Sequence, residues 1–394
     1  MTADNIEHVI SYWVMFQTFH SPTLAGFAII SHWVPFLLFS LHMGAAADRR
    51  DCRKLIQISQ VMYVIASLTW GLLFLLGALQ MWHAVVMLLL HGMAGVIAMP
   101  AQQLIIHDMV PVKDLPSAIR LNASSRYLSM LLGPAIGGGL MLLLGPAWGL
   151  LANAAIYLPF SMYLFRVPYT GHTTHAAQQG ALTRADVWNV LAIVRSDPRM
   201  VTMILLAAVS SFFVGNAFQA QMPEYAAFLG ADETGTGYTV LLAANAAGAV
   251  LGVILLEMSA VLAPSSRTAI ICAGLWAICM GLFPMTHSYA TAVGLLVIGG
   301  VFGIAFTSMA QTVVQMLAPA RVRGTIVGLF TTAMMGMRAG AGVTIGVVGA
   351  FTGVHASLAL SCLVVLLFAI GLFMRDIRMT ARMPVPVVVD GDPG

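Results

Sequence analysis

Residues Gly44-Ala45-Ala46-Ala47-Asp48-Arg49-Arg50-Asp51-Cys52-Arg53-Lys54 form an island of charge between two long apolar runs. No other stretch of this length in the chain brings four cations and two acids so close together. A helix needs about 20 apolar residues to cross the hydrocarbon core of a bilayer, and the runs on both sides have roughly that length. The stretch therefore predicts a polar loop between two membrane-spanning helices.

The composition of the whole chain supports that prediction. Of its 394 residues, 59% are hydrophobic and 8% are charged, whereas about a quarter of the residues in a water-soluble domain are charged. The apolar runs are long and continuous, which favours helices over the short alternating segments of a membrane β-barrel. We therefore predict an all-α integral membrane protein whose environment is the lipid bilayer. The sequence has no basic patch with interleaved aromatic residues, so no nucleic acid is expected as a partner.

Twelve apolar runs can be placed along the chain, six on each side of a polar linker. We expect an N-terminal six-helix bundle at 1–165 and a cytoplasmic linker at 166–199, with a short surface helix at 183–194. A C-terminal six-helix bundle at 200–375 and a cytoplasmic tail at 376–394 would follow. The runs lie at 6–19, 24–43, 55–78, 84–106, 118–144, 148–165, 201–220, 236–256, 268–285, 289–317, 325–351 and 354–374.

The distribution of lysine and arginine predicts the orientation in the membrane. Cationic loops stay on the cytoplasmic side, and here every second connection carries cations while the intervening connections carry none. Only Arg126 and Arg338 lie well inside apolar runs, and Arg120 lies at the start of the fifth run. We therefore expect a multi-pass protein of the cytoplasmic membrane of a bacterium, with both termini in the cytoplasm.

The charged island has a recognisable spacing at Gly44, Asp48, Arg49 and Arg53. It resembles the loop between the second and third helices of major facilitator superfamily transporters, in residues and in position. The resemblance implies a monomeric twelve-helix fold of two pseudo-symmetric six-helix bundles. It also implies a cytoplasmic gate, in which Arg49 reaches towards Asp108.

In that gate, Asp48 would accept hydrogen bonds from the start of the eleventh helix near Gly324, because the positive end of a helix dipole favours an anion. The two halves would then be latched on the cytoplasmic side, which stabilises the outward-open state. The alternative is a cationic loop that only fixes the topology.

A second motif lies in the fifth run. Leu115, Ala118, Leu121 and Asn122, followed by Gly133-Pro134-Ala135-Ile136-Gly137-Gly138, resemble the enterobactin-exporter-like branch of the superfamily and the fifth-helix motif of its antiporters. The resemblance implies export. Small residues at Gly133, Gly137 and Gly138 let a neighbouring helix approach closely, and Pro134 permits bending. The alternative is that a glycine-rich membrane helix simply packs well.

Charged residues near or within the spans are the candidates for proton coupling. A buried cation costs at least about 2.5–3.5 kcal/mol on insertion scales, so Arg126 should face the bundle interior and pair with Glu7 or Asp4. Alternatively, Arg126 snorkels to the surface, and the two acids only mark a helix start. The first run, 6–19, measures about 21 Å at 1.5 Å per residue. We therefore expect a truncated first helix, with the native start upstream of Met1.

Other polar and aromatic residues within the spans are candidates for a substrate cavity. Each polar residue is more often an interhelical hydrogen bond than a ligand contact, whereas the aromatic residues of the first run suit an amphipathic ligand. The role of Arg338 is open, because no acid lies near it in sequence. The candidates are Tyr12, Trp13, Phe16, Gln103, Asn122, Asn216, Gln219, Asn245 and Arg338.

The sequence argues against enzymatic and ATP-driven functions. Neither Lys54 nor Lys113 belongs to a phosphate-binding loop, and the sequence has no His-Glu-x-x-His and no Gly-x-Ser-x-Gly. The four cysteines lack metal-ligand spacing and the eleven histidines are scattered, so no catalytic residue, cofactor or metal site is predicted. We expect a proton-driven exporter of a small molecule such as a drug or siderophore. An uptake carrier or uniporter, or a non-transporting receptor or scaffold, stays open.

Overall fold

The computed structural model describes residues 1–111, 114–171, 184–231, 234–258, 265–319 and 322–381, and within those ranges it contains helices and no strand. In the first half, α1 packs against α5 and α6, α2 packs against α4, and α3 packs against α4 and α6. These helices are α1 Thr2–Phe19, α2 Pro22–Ala47, α3 Cys52–Leu75, α4 Met81–Met109, α5 Leu115–Leu144 and α6 Pro146–Arg166.

The second half has interrupted helices as well as continuous ones. Its main contacts join α11 to α13, α12 to α13 and α17, and α8 to α13 and α14. The helices are α7 Arg184–Ser196, α8 Pro198–Phe213, α9 Ala217–Ala220, α10 Met222–Phe228, α11 Thr236–Met258, α12 Ser266–Leu282, α13 Tyr289–Leu317, α14 Arg323–Gly336, α15 Arg338–Ala341, α16 Val348–Thr352 and α17 Val354–Ala381. A 3₁₀ turn, Phe283–Met285, follows α12, and a π-helical segment, Gly342–Val347, joins α15 to α16.

Local sequence accounts for where the helices start. Proline occupies the first turn of α2, α6 and α8, where its missing N–H would have no helical partner in any case. The Ser21 hydroxyl accepts a hydrogen bond from the Leu24 N–H (3.2 Å), and the Asp51 carboxylate accepts one from the Arg53 N–H (2.9 Å). Such side chains satisfy donors that a helix start leaves free. The loop between α2 and α3 is therefore as short as its charge pattern predicts.

Ten helical stretches in the described part of the chain are long and apolar enough to cross a membrane. Two of the twelve predicted spans, α1 and α5, are not among them. Helix α1 carries Asp4 and Glu7, and among the described side chains of α5 the shorter stretch Leu132–Leu144 is apolar. The all-α membrane fold is confirmed. The predicted linker helix is confirmed as α7, whose Val190 and Val194 are buried against the second half. The residue boundaries of the two bundles stay a prediction.

The interruptions in the second half lie where it meets the first half. Helix α2 contacts both α15 and the π-helical segment, and α5 contacts α11. A Cβ atom on Gly26 would lie 2.5 Å from the Gly342 carbonyl oxygen and 2.6 Å from the Gly346 Cα atom, closer than real Cβ atoms come to their neighbours. Glycine at 26 therefore allows the two backbones to touch.

Candidate functional site

A cavity of about 690 Å³ lies between the two halves. Tyr12, Asn216, Gln219, Asn245 and Arg338 line it, as the sequence analysis expects of cavity residues. The other four candidates, Trp13, Phe16, Gln103 and Asn122, are not part of its described lining. The role of all nine in substrate binding stays a prediction.

One side of the cavity is closed by direct contacts between the halves. The Tyr238 hydroxyl of α11 donates a hydrogen bond to the Val9 carbonyl oxygen of α1 (2.9 Å), and its ring stacks on Trp13 at 5.5 Å and 14°. The Gln221 amide donates to the Pro22 carbonyl oxygen (2.9 Å). These contacts involve the middle of α1 and the start of α2. We call this the closed side. Trp13 packs in this contact between the halves, which explains why it is not part of the described cavity lining.

The opposite side carries the charged loop 44–54, and we call it the basic side. Met1, which is 46% exposed, lines the cavity there together with the exposed residues Ser40 and Thr331. The cavity therefore opens on the basic side. The structure represents a state in which the proposed substrate path is open at one end and shut at the other.

The predicted gate residues lie at this open side. Asp48 and Arg49 are exposed and make no side-chain hydrogen bond or ion pair with any described residue. Asp108 lies close enough to act electrostatically on the buried Cys52 thiol, as do Asp48 and Asp51. The loop and the end of α4 thus lie together, but Asp48 does not latch the halves in this state. The latch stays a prediction for the state in which the basic side is shut. The role of Gly44 in the gate also stays a prediction.

Arg53 of the charged loop has a structural role at the end of the first half. Its guanidinium forms an ion pair with Asp51 (2.8 Å) and donates a hydrogen bond to the Val167 carbonyl oxygen (2.7 Å). The Cys52 N–H donates to the Thr170 carbonyl oxygen (2.8 Å). The Arg53 guanidinium also lowers the pKa of the Asp51 carboxyl below its usual value. The loop therefore anchors the chain that leaves α6.

The acids of the first helix meet a histidine that the sequence analysis did not single out. His91 of α4 lies between them, with its Nε2 atom 2.7 Å from Asp4 Oδ1 and its Nδ1 atom 2.8 Å from Glu7 Oε1. Glu7 is 1% exposed and His91 is 3% exposed. Buried charges need partners of this kind. We call Asp4, Glu7 and His91 the triad. The side chain of Arg126, their predicted partner, lies outside the described part of the structure.

Two more histidines extend the triad towards the cavity. The ring centroid of His8 lies 4.6 Å from that of His91 and 4.9 Å from that of His32. Asp4, His8 and His32 line the cavity, whereas His91 lies behind them. Beside the histidines, the Arg338 guanidinium lies over the Trp33 ring, 5.0 Å from its centroid, in a cation–π contact, and the Trp33 ring contacts that of His32 at 4.7 Å.

The glycines of α5 bring the first helix and the second half together. A Cβ atom on Gly133 would overlap the Asn5 side chain, and one on Gly137 would lie 3.1 Å from the Ile6 Cα atom. On the other face, a Cβ atom on Gly138 would overlap the Thr239 side chain of α11. The predicted packing motif is therefore where α1, α5 and α11 touch. Its link to antiport stays a prediction.

Comparison of the sequence with known protein families identifies the family of this chain. The sequence model of the family described as transmembrane secretion effector matches residues 2–385. The chain belongs to that family. Its fold is that of the major facilitator superfamily, as the sequence analysis expects, and the protein is a multi-pass membrane transporter of that type.

This transporter shares low sequence identity with the three proteins that follow. It is 23% identical over 164 residues to the staphyloferrin A transporter of Staphylococcus aureus (strain NCTC 8325 / PS 47), a match that spans 40% of this chain and 41% of that one. A bacterial homologue of the human lysosomal transporter Spinster, in an inward-facing and unoccupied conformation, has a TM-score of 0.72 at 16% identity over 98% of this chain and 96% of that chain. A D-xylose–proton symporter has a TM-score of 0.64 at 17% identity over 94% and 92%.

Sequence reasoning missed the three histidines because they come from different helices. The one local signal was Asp4 followed by Glu7 and His8, which share a face of a helix. Nothing in the sequence pointed to His32 or His91 as their neighbours. Only the packing of α1, α2 and α4 brings these transporter residues together.

Proposed function

We propose that the protein exports a small amphipathic compound of drug or siderophore type, by alternating access and in exchange for protons. The observation that carries this proposal is the cavity between the halves, open on the basic side and closed on the other. A carrier has to show its central site to one side at a time. The positive-inside pattern makes the basic side cytoplasmic, so the open cavity would load its compound from the cell interior.

The triad is the proposed coupling site. Its imidazole joins two carboxylates through hydrogen bonds of 2.7 and 2.8 Å, so a proton that enters from the cavity at Asp4 has a continuous route to the buried Glu7. Buried ionisable groups in a membrane protein are energetically costly and are found in substrate and ion pathways and in proton relays. Arg126 remains a further candidate in the same half.

Helix α1 links the proposed coupling site to the closed side. It carries both acids of the triad, and two and six residues after Glu7 it carries Val9 and Trp13, which contact Tyr238 of the second half. A change in the charge of the triad therefore acts on the same rigid element that shuts the cavity. We propose that proton binding from outside and substrate release both require these contacts to open.

The cavity wall favours an amphipathic compound with an anionic part. Aromatic rings of Tyr12, Trp33 and Phe36 supply apolar surface, and Arg338 supplies a positive charge beside the Trp33 ring. The family description and the name of the staphylococcal relative agree with a secreted or siderophore-like compound. The fold alone does not select a substrate.

The test is transport into inside-out membrane vesicles that carry the protein. Cationic dyes, antibiotics and catecholate siderophores are supplied in turn, with the vesicle interior made acidic. Uptake of one compound class that collapses when the pH gradient is removed supports the proposal. Uptake that is independent of the gradient indicates a uniporter, uptake only in right-side-out vesicles indicates an importer, and no transport of any compound favours a receptor or scaffold.

The matched controls separate coupling from folding. Glu7→Gln removes the buried acid of the triad, whereas Glu224→Gln removes an acid in the first turn of α10, outside the triad. We expect loss of gradient-driven uptake in the first variant and wild-type uptake in the second. Equal activity of both variants would remove Glu7 from the mechanism.

A further inference from the structure

We propose that Asp4, His8, His32 and His91 bind one divalent transition-metal ion, of the Zn²⁺ type, at the wall of the cavity. Each of the four offers one ligand atom, and these atoms all lie within 4.8 Å of one another. The proposal concerns ion binding and goes beyond the proposed export of an organic compound. We call these four residues the histidine cluster.

The chemistry of the donor set selects the class of ion. Three imidazoles and one carboxylate suit Zn²⁺ and its first-row neighbours, whereas Ca²⁺ and Mg²⁺ prefer sites made of oxygen atoms alone. A tetrahedral zinc site with bonds of about 2.0–2.1 Å places neighbouring ligand atoms about 3.3 Å apart. In the structure the four ligand atoms lie within 4.8 Å of one another. Side-chain rotations would therefore have to move these atoms by about 1 Å towards the ion.

Glu7 provides the support that a metal-bound imidazole requires. Its carboxylate lies 2.8 Å from His91 Nδ1 and leaves Nε2 as the nitrogen that faces Asp4. Metal-ligating histidines commonly donate their second ring N–H to a carboxylate, which fixes the tautomer and the orientation of the ring. Asp4 and Glu7 together also carry two negative charges, which compensate a divalent cation.

The packing of the helices holds the cluster together. His32 and His91 come from α2 and α4, which approach closely because residue 92 is glycine. A Cβ atom there would overlap the Ser31 carbonyl oxygen and lie 3.2 Å from the His32 Cα atom. His32 Nδ1 is buried and has no hydrogen-bond partner among the described residues, so this side chain has a nitrogen available for a new bond. A buried nitrogen without a partner is unfavourable, and a bound ion would supply the missing partner.

An ion has a path to the cluster. Asp4, His8 and His32 line the cavity that opens on the basic side. In the structure, Asp4 Oδ1 and His91 Nε2 are 2.7 Å apart, the distance of a direct hydrogen bond. The ion would enter between these two groups and displace the shared proton, since ligands must be deprotonated to bind metal.

The experiment measures Zn²⁺ binding to purified, tag-free, detergent-solubilised protein that has been treated with a chelator. Competition with a fluorescent zinc indicator gives the affinity and the number of ions, and X-ray absorption gives the distances from the ion to its ligand atoms. We expect one ion per chain with bonds of about 2.0–2.1 Å to nitrogen and oxygen. His8→Gln and His32→Gln should each weaken binding by more than about 10-fold. Glu7→Gln should weaken it by about 10–100-fold, as loss of outer-shell partners does.

The matched control is His42→Gln, which removes an exposed histidine of the same helix that carries His32. It should leave the affinity unchanged. Size-exclusion elution and melting temperature identify any variant that fails to fold. If either His8→Gln or His32→Gln fails to fold, the zinc affinity of the other variant tests the proposal. Absence of saturable binding, or equal binding in the wild type and all cluster variants, would overturn the proposal. Neither result depends on transport of an organic compound, so failure of this proposal is distinguishable from failure of the proposed function.

Discussion

Substitution of Gly26 by alanine should open the closed side of the transporter. The new Cβ atom would lie 2.5 Å from the Gly342 carbonyl oxygen and 2.6 Å from the Gly346 Cα atom, whereas ordinary contacts begin at 3.4 Å. The backbones of α2 and the π-helical segment would therefore have to separate by about 0.8–0.9 Å, the difference between the ordinary contact distance and these two values. Because both neighbours are backbone atoms, no side-chain rotation can relieve the overlap.

The expected size of this effect follows from measured costs of overpacking. Extra methyl groups in a packed interior cost about 1–3 kcal/mol. Since about 1.4 kcal/mol corresponds to a tenfold change in an equilibrium constant, the population that is open on this side should rise by about 5–150-fold. The variant should still insert, because the clash exists only while the two halves touch.

Spin labels on the closed side provide the assay. Thr18 at the end of α1 and Ala227 in α10 are exposed there and belong to different halves. Cysteines at these two positions, in a background without the four buried native cysteines, carry the labels, and pulsed electron resonance measures the distance between them. Gly26→Ala should add a longer distance to the distribution. Gly294→Ala is the control, because a Cβ atom at that glycine meets nothing within 4 Å. An unchanged distribution in Gly26→Ala would refute the reasoning.

Three further predictions concern the charged groups. Glu7→Gln should abolish the pH dependence of transport, measured as uptake rate against vesicle pH, and an unchanged profile would remove this acid from coupling. Asp48→Asn should slow cycling while membrane insertion stays normal, measured as turnover per inserted protein, and full turnover would exclude the latch. Because the pKa of Asp51 is lowered in the folded protein, its contribution to stability is present above about pH 4, the ordinary aspartate range, and is lost as the pH falls further. The difference in melting temperature between wild type and Asp51→Asn should therefore shrink on acidification, and a difference that grows would contradict this assignment.

The sequence predicted the helices well because hydropathy alone determines where membrane helices lie. The runs at 24–43 and 289–317, for example, lie within α2 and coincide with α13. The interruptions were not predicted. The run at 201–220 breaks after Phe213, where Gly215 has a φ of 47°, and the run at 325–351 contains the π-helical segment. Both breaks lie in apolar stretches of small residues, so composition carries no sign of them.

The candidate site was predictable only in part. The acids at Asp4 and Glu7 stand out in an apolar run, so sequence alone marks them. Their partner His91 lies more than 80 residues away, and the contact of α2 with α4 that glycine at 92 permits brings His32 to the same place. Residues from three helices meet at this point, and a one-dimensional pattern cannot show which faces of the helices are turned towards one another.

The central claim is that export is driven by protons through the triad. The most direct test is proton movement on addition of a transported compound to inside-out vesicles, compared between wild type and Glu7→Gln. We predict that the compound causes proton release from wild-type vesicles and none from the variant, while Glu224→Gln behaves as wild type. Transport without proton movement in the wild type, or the same proton movement in Glu7→Gln, would contradict the account.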